Sequence, residues 1–309
     1  MKKYPIKKII WIIITAVVTV FIVQKTGHLL DPFEAEDGLS AIEAFHELED
    51  NSIEVLVFGS SRAWKGCDTS VMNDEYGIKA YNYSCNWQAI NTTLLFIRDS
   101  FRTQSPDAIF VETGHVGKVL EDTDLNGEIY YTRRIPLFDG KKEYLRECFG
   151  NNIERYASYY FPLIMFHDNW TQIDFENFYS PGKERYLEAY GYNEDCNTYL
   201  EKINIPPIEK TNQVKLPESS IKALDKIVKE CEEKGTRLVF YTIPCNDGYA
   251  YSEAMKNFAD SRSVDYIDFY EHLLDSGLNG NTDYQDGVHL NKEGARKVAA
   301  FLSEYIRHK

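Results

Sequence analysis

The sequence predicts an α/β fold in which a parallel sheet carries helices on both faces. Three observations support this. Short apolar, β-branched runs alternate with helical patterns of ten or more residues, the signature of βαβ units. Of 309 residues, 43% are hydrophobic and 14% aromatic, enough to fill a sizeable core and to exclude a disordered chain. An apolar N-terminal segment stands apart and leaves roughly 280 residues, a length that one α/β domain can occupy.

In chain order, the first element is that segment. Ile9 to Val23 (IIWIIITAVVTVFIV) is fifteen residues without a charge. A full span needs about 20 residues and a signal-peptide core about 7–15, so length alone leaves both open, with a buried core helix as a third reading. No small-x-small cleavage signal follows Val23, and Tyr4 and the flanking lysines can snorkel and extend the span. Lys2, Lys3, Lys7 and Lys8 precede the stretch and only Lys25 follows it closely. Residues 1–28 are therefore expected to be a cytoplasmic tip and single-pass anchor, with the C-terminal body outside the cell membrane.

Residues 29–50 read as a short acidic linker (LLDPFEAEDG) and a helix from Leu39. Residues 51–309 form the body. Its strand-like runs are Ile53–Phe58, Lys79–Tyr83, Ala108–Glu112, Arg237–Ile243 and Val264–Phe269. Helical patterns cover Gln88–Arg102, Ser219–Glu233 and Lys292–Ile306. From about 118 to 216 the rhythm breaks, which marks an insertion between the third and fourth strands. Within it, Tyr156 to Tyr199 holds thirteen aromatics in 44 residues. These rings either pack the insertion onto the sheet or line a sugar- or lipid-binding cleft.

Charge and cysteines bound the function. Lys+Arg number 34 against Asp+Glu 48, a formal −14. The first 28 residues hold five lysines and no acid, so the body carries about −19. Nucleic-acid binding needs a basic footprint and is excluded. Cys67, Cys85, Cys148, Cys196, Cys231 and Cys245 are irregularly spaced without C-x-x-C, which leaves both disulfides and buried thiols open. No metal or nucleotide motif is present: Gly114–Lys118 is too short for a P-loop, and the seven histidines lack metal spacing.

Two signals carry chemistry. Gly59-Ser60-Ser61-Arg62 follows the first strand of the body, where open α/β sheets place their ligands. A serine on such a turn is exposed, and a helix N-terminus beside it can stabilise an oxyanion. Near the other end, Asp286 and His289 are three apart, before the last helix. A carboxylate at that spacing can fix the tautomer of the imidazole and leave its other nitrogen as a base, which a serine nucleophile requires.

Together these blocks resemble the SGNH/GDSL hydrolase superfamily, over residues 50–115 and 217–309. The resemblance implies a flavodoxin-like, three-layer α/β/α domain and ester chemistry without a cofactor. It casts Ser61 as nucleophile, His289 as base and Asp286 as its orienter. The strings VFGSSRAW, YNYSCNWQ, FPLIMFHDNW and DGVHLNKEGARKVAAFL are similar to membrane-anchored SGNH-like proteins of Gram-positive bacteria, a group related to the D-alanine transfer protein of teichoic-acid modification. That group often accompanies membrane-bound O-acyltransferases, which makes such an enzyme an expected partner.

The sequence departs from the superfamily pattern at the oxyanion blocks. Asn82 is present, but Ser84, Cys85 and Asn86 stand where a glycine donor is usual; a backbone N–H of Ser84 or Cys85 can serve instead. The third block lacks its asparagine, so the amide donor is either missing or replaced by His115 or Asn86. Arg62 is read as supporting the site or contacting substrate, or else as surface charge. The expected function is acyl-ester transfer to, or removal from, an envelope polysaccharide or teichoic acid. The alternative is a catalytically silent scaffold partnering a membrane acyltransferase. The acidic body favours a neutral glycan over a polyanion.

Overall fold

The computed structural model describes residues 6–31, 37–118, 128–172, 183–193, 202–203, 205, 214–246 and 251–308. Each strand-like run of the body forms a strand: β1 Val55–Phe58, β2 Ala80–Asn82, β3 Ala108–Glu112, β4 Arg237–Thr242 and β5 Asp265–Asp268. All pair in parallel, in the order β2-β1-β3-β4-β5. Every residue of β1, β2 and β3 is buried, as expected for a parallel sheet covered on both faces.

The pleat divides these strands between two cores. Leu56, Phe58, Ile109, Val111 and Phe240 face one side. There they meet Leu94, Leu95 and Ile97 of α5 (Ile90–Ser100) and Leu224 and Ile227 of α11 (Glu218–Lys234). Val55, Val57, Phe110, Val239 and Tyr241 face the other side, against Val71 and Met72 of α4 (Thr69–Asp74) and Val298 and Leu302 of α14 (Lys292–Arg307). The result is a three-layer α/β/α domain. Strand order reverses between β1 and β3, so the crevice outside their C-terminal ends is the natural place for a ligand.

The connection from β3 to β4 holds α6 (Glu128–Tyr131), α7 (Asp139–Phe149), α8 (Ile153–Tyr160), α9 (Pro162–Phe166) and α10 (Lys183–Glu188) before α11. Its rings are divided between packing and exposure. Tyr159, Phe166, Tyr186 and Tyr192 are buried, whereas Tyr160 and Trp170 are exposed. Phe175, Phe178, Tyr179 and Tyr199 lie outside the described residues. The stretch after α10 covers the edge strand: the Asn82 N–H donates to Tyr190 O at 2.9 Å. Gly191, at φ +82°, allows that approach, since a Cβ there would lie 2.3 Å from Asn82 O.

The apolar segment forms α1 (Ile6–Leu30), 25 residues of mean hydropathy 2.4 over its most apolar window, long enough to cross a membrane. From Ile9 to Ile22 its exposed surface carries no charge and is interrupted only by Thr15, Ala16 and Thr19 among large apolar side chains. The C-terminal turns of α1 dock on the body. A Cβ on Gly27 would lie 2.6 Å from Leu163 N, Gln24 Nε2 donates to Tyr160 O at 2.8 Å, and Asn169 Nδ2 donates to Leu30 O at 3.3 Å.

Here the structure corrects the linker reading. Leu29 and Leu30 belong to α1, and Asp31 is fully buried. Asp31 accepts a hydrogen bond from Tyr130 Oη and pairs with Arg133 at 3.4 Å. Residues 32–36 of the expected linker lie outside the described residues. The next element, α2 (Asp37–Phe45), is packed onto the body rather than tethered: Tyr81 Oη donates to Ala41 O at 3.0 Å. Cys67, Cys85, Cys148, Cys231 and Cys245 are thiols rather than disulfides, and Cys196 lies outside the described residues. Burial pushes the Cys231 thiol up to about 12, so it is inert near neutral pH.

Burial of Asp31 predicts a cost that a linker residue would not show. Asp31→Ala should lower the unfolding free energy of the detergent-solubilised chain by about 3 kcal/mol, because Arg133 loses a buried partner. Urea denaturation checks this; a change under about 0.5 kcal/mol is what a solvated linker would give.

Candidate active site

Ser61 opens α3 (Ser61–Trp64), three residues beyond the end of β1. The turn needs Gly59: at φ +154°, a Cβ there would lie 2.7 Å from Ala63 Cβ and 2.9 Å from Glu112 Cβ. Ser60 caps the helix, its Oγ accepting from the Arg62 N–H at 3.3 Å. Trp64 anchors the far end of α3. It is buried, stacks on Tyr186 at 5.9 Å and donates Nε1–H to Gly191 O at 3.0 Å. Four helical residues cannot hold themselves, so the β3–β4 connection supports the turn that carries Ser61.

His289 and Asp286 lie on the loop before α14. That loop is cross-braced within itself. Tyr284 and Leu290 form an antiparallel bridge, the Gln285 N–H donates to His289 O at 2.9 Å, and Asn291 caps α14 through Gly294 N–H at 3.2 Å. Asp286 Oδ1 accepts from the backbone N–H of Val288 and of His289, both at 2.8 Å. Its other oxygen lies 2.8 Å from His289 Nδ1, and His289 Nε2 lies 2.8 Å from Ser61 Oγ.

Electrostatics assign the protons. Burial would raise the Asp286 carboxyl, but the His289 ring and the two backbone donors more than offset it and hold it below the usual range. An ionised Asp286 only accepts, so Nδ1–H donates to it and Ser61 Oγ–H donates to Nε2. Burial drives the His289 imidazole below its ordinary value despite Asp286; Lys65 and Arg62 push the same way. A neutral imidazole bridging a carboxylate and a serine hydroxyl can accept the serine proton and be stabilised as it does so.

The remaining sequence-selected residues separate. Asn82 is fully buried and donates to Ala63 O at 2.9 Å and Cys67 O at 3.0 Å, so its amide secures α3 from below and does not face the crevice. The Cys85 N–H is taken by Gln88 Oε1 at 3.1 Å, which removes it as an oxyanion donor. Ser84 is buried, and its N–H, like that of Ser61, meets no acceptor among the described residues. Asn86 is half-buried, with no side-chain hydrogen bond among the described residues.

Arg62 turns inward and is not surface charge. It is 5% exposed, pairs with the fully buried Glu112 side chain at 3.3 Å and donates Nη2–H to Ile243 O. Burial raises the Glu112 carboxyl, against the pull of Arg62 and of the Gly114 and Ile243 N–H groups. Gly114 leaves room for this arginine: a Cβ there would lie 2.6–2.8 Å from the Arg62 guanidinium and would push it from its place.

His115 is half-buried within electrostatic reach of His289 and Arg62. Burial, followed by Arg62, Lys118 and His289, lowers it to about 4. Its Nδ1 is buried without a hydrogen-bond partner among the described residues. Glu112 was missed as a site residue, although an acid ending an otherwise apolar strand is a readable sign of a buried partner. Among the described residues no three His, Cys, Asp or Glu side chains gather to hold a metal ion.

No protein-family model and no curated protein sequence matches the chain. Solved structures do. A proposed acylhydrolase from Bacteroides fragilis is 12% identical, with 86% of this chain and 93% of that one covered at a TM-score of 0.41. A GDSL-like lipase from Bacteroides thetaiotaomicron is 11% identical, with 89% and 98% covered at 0.41. A proposed GDSL-like lipase from Parabacteroides merdae is 11% identical, with 85% and 99% covered at 0.38.

The proton assignment is open to NMR. The His289 ring should titrate with a midpoint below 6.5. Asp286→Asn should lower it further, because the hydrogen bond and charge of Asp286 are what raise it. A midpoint that rises in the variant would contradict the assignment.

Proposed function

We propose that this chain is a serine-dependent acyl-ester enzyme, anchored by α1 with its body outside the cell membrane, that forms or cleaves O-acyl esters on an envelope polysaccharide or teichoic acid. The observation that carries the reading is the unbroken relay from Asp286 through His289 to Ser61, both links at 2.8 Å, at the sheet's switch point. A serine hydroxyl is a weak nucleophile until a base is placed against it, and a structural serine needs no such base.

The chemistry follows from that relay. Ser61 Oγ attacks the ester carbonyl as His289 Nε2 takes its proton, and Asp286 stabilises the imidazolium. The oxyanion is met by backbone N–H groups of Ser61 and Ser84. The tetrahedral intermediate collapses, His289 returns the proton to the departing alcohol, and an acyl-Ser61 ester remains. A second hydroxyl then attacks the acyl carbonyl while giving its proton to His289; this second intermediate collapses, the acyl–Ser61 bond breaks, and His289 returns the proton to Ser61 Oγ. If that hydroxyl belongs to a sugar, the acyl group is transferred; if it is water, the ester is hydrolysed. A membrane-bound O-acyltransferase is the partner that would supply the acyl group in the transfer direction.

The test uses the full chain in detergent. A fluorophosphonate probe should label Ser61, and Ser61→Ala should abolish labelling. Hydrolysis of p-nitrophenyl acetate should fall at least ~10³-fold in Ser61→Ala and in His289→Ala. Only neutral His289 accepts a proton, and its value is depressed, so the acid limb of kcat/KM should fall below pH 6.5. Cells carrying Ser61→Ala should show altered envelope ester content. Full activity and labelling in Ser61→Ala would overturn the reading.

A further inference from the structure

We infer that Trp87 is a stacking platform for a pyranose ring of the substrate, an inference that rests on the ester reading and names its substrate class. The platform lies on the loop between β2 and α5, at the same C-terminal edge of the sheet as Ser61. Trp87 is 62% exposed, in a loop whose neighbours from Tyr83 to Cys85 and from Gln88 to Ile90 are buried. Its backbone sits at φ +59°, a conformation that a bulky side chain rarely adopts and that packing must hold in place. Nothing is gained in stability by straining the backbone to present an indole to water.

Two contacts fix the ring. Lys118 Nζ donates to Trp87 O at 2.8 Å and lies 5.9 Å from the indole centroid. His115 stacks beneath it, offset-parallel, with centroids 6.2 Å apart and planes within 14°. His115 directly follows Gly114, whose Cα abuts the buried Arg62 guanidinium next to Ser61, and it feels the charges of Arg62 and His289, which puts the platform beside the reacting centre. His115 and Lys118 cover only part of the indole, which stays 62% exposed, so ring surface remains accessible to a ligand. His115 is neutral near pH 7, since burial lowers it to about 4, which suits a stacked ring.

An exposed indole held by its backbone and by His115, with the Lys118 ammonium 5.9 Å from its centroid, matches a sugar ring. The C–H face of the sugar lies on the indole and its hydroxyls meet polar groups at the rim. An acyl chain would be served by an enclosed apolar pocket, and a polyanion is disfavoured by the formal charge of −14.

The test has a kinetic and a binding arm, both on full chain in detergent. The kinetic readout is kcat/KM for methyl 6-O-acetyl-β-glucopyranoside divided by that for p-nitrophenyl acetate. Trp87→Ala should lower this ratio about tenfold, Trp87→Phe should retain most of it, and the same ratio for glycerol triacetate should not move. The binding readout is saturation-transfer NMR of cellopentaose on the Ser61→Ala protein, whose ring-proton signal should vanish when Trp87→Ala is added. An unchanged sugar ratio, an equal fall for glycerol triacetate, or cellopentaose binding that ignores Trp87 would each overturn the platform. Esterase activity without these effects sinks the platform alone. Trp87-dependent cellopentaose binding in a chain that neither reacts with the probe nor hydrolyses esters sinks the ester reading alone.

Discussion

The buried pair of Arg62 and Glu112 is the constraint on which the candidate site depends. Glu112 ends β3, Arg62 sits one residue past Ser61, and Ile243, whose carbonyl accepts from Arg62, follows β4. One ion pair thus ties the turn after β1 to the ends of the two strands on its far side. Such a pair is no source of net stability, because desolvating both charges offsets most of their attraction. Its value is positional: neither partner can leave without stranding the other, so the Ser61 turn has one favourable place to be. The Arg62 charge also reaches upward and helps hold both His289 and His115 neutral.

The second requirement is to join residues that are 228 apart in sequence. The sheet order solves the distance, since it sets the end of β1 beside that of β3, with β4 next beyond it. The approach of the late loop is set by short contacts. Tyr284 Oη donates to Pro244 O at 3.0 Å and the Asn246 N–H donates to Gly287 O at 2.8 Å, which lay the loop against the residues after β4. Asp286 then has two tasks at once. One oxygen closes its own turn and the other meets His289, so the orientation of the base is part of the loop's fold.

What was legible from sequence is what is local or periodic. Short apolar runs located all five strands, most plainly β1 and β3, which are buried throughout and almost free of polar residues; β5, with two aspartates and a half-exposed start, was marked by its flanking Val264 and Phe269. Asp-x-x-His was legible because three residues of loop suffice for the contact. The inward turn of Arg62 was not, because its partner lies 50 positions away and nothing in a Gly-Ser-Ser-Arg turn marks the arginine as buried. Asn82 and Cys85 were misplaced for a related reason. Nearby acceptors claim them, the Ala63 and Cys67 carbonyls for the Asn82 amide and the Gln88 side-chain oxygen for the Cys85 N–H, and hydrogen-bond competition leaves no sequence pattern. Asp31 was read as linker because an acid after an apolar helix ordinarily faces water; Tyr130 and Arg133, about a hundred residues on, reverse that.

The β3–β4 connection then takes on a structural meaning that its aromatic composition only hinted at. It touches both α1 and α3. Tyr160, Pro162 and Leu163 receive the last turns of α1. Tyr186 and Gly191 hold Trp64, directly behind Ser61, and Ala41 and Ala44 of α2 complete the same cluster. A flexible tether would let the serine wander relative to the apolar helix. Packing on both sides of one inserted segment instead sets that relation, because the energy of burying Tyr186 and Trp64 is lost if either moves. The insertion therefore does for α1 and α3 what the Arg62–Glu112 pair does for the strands: it converts sequence distance into a fixed geometry around one hydroxyl.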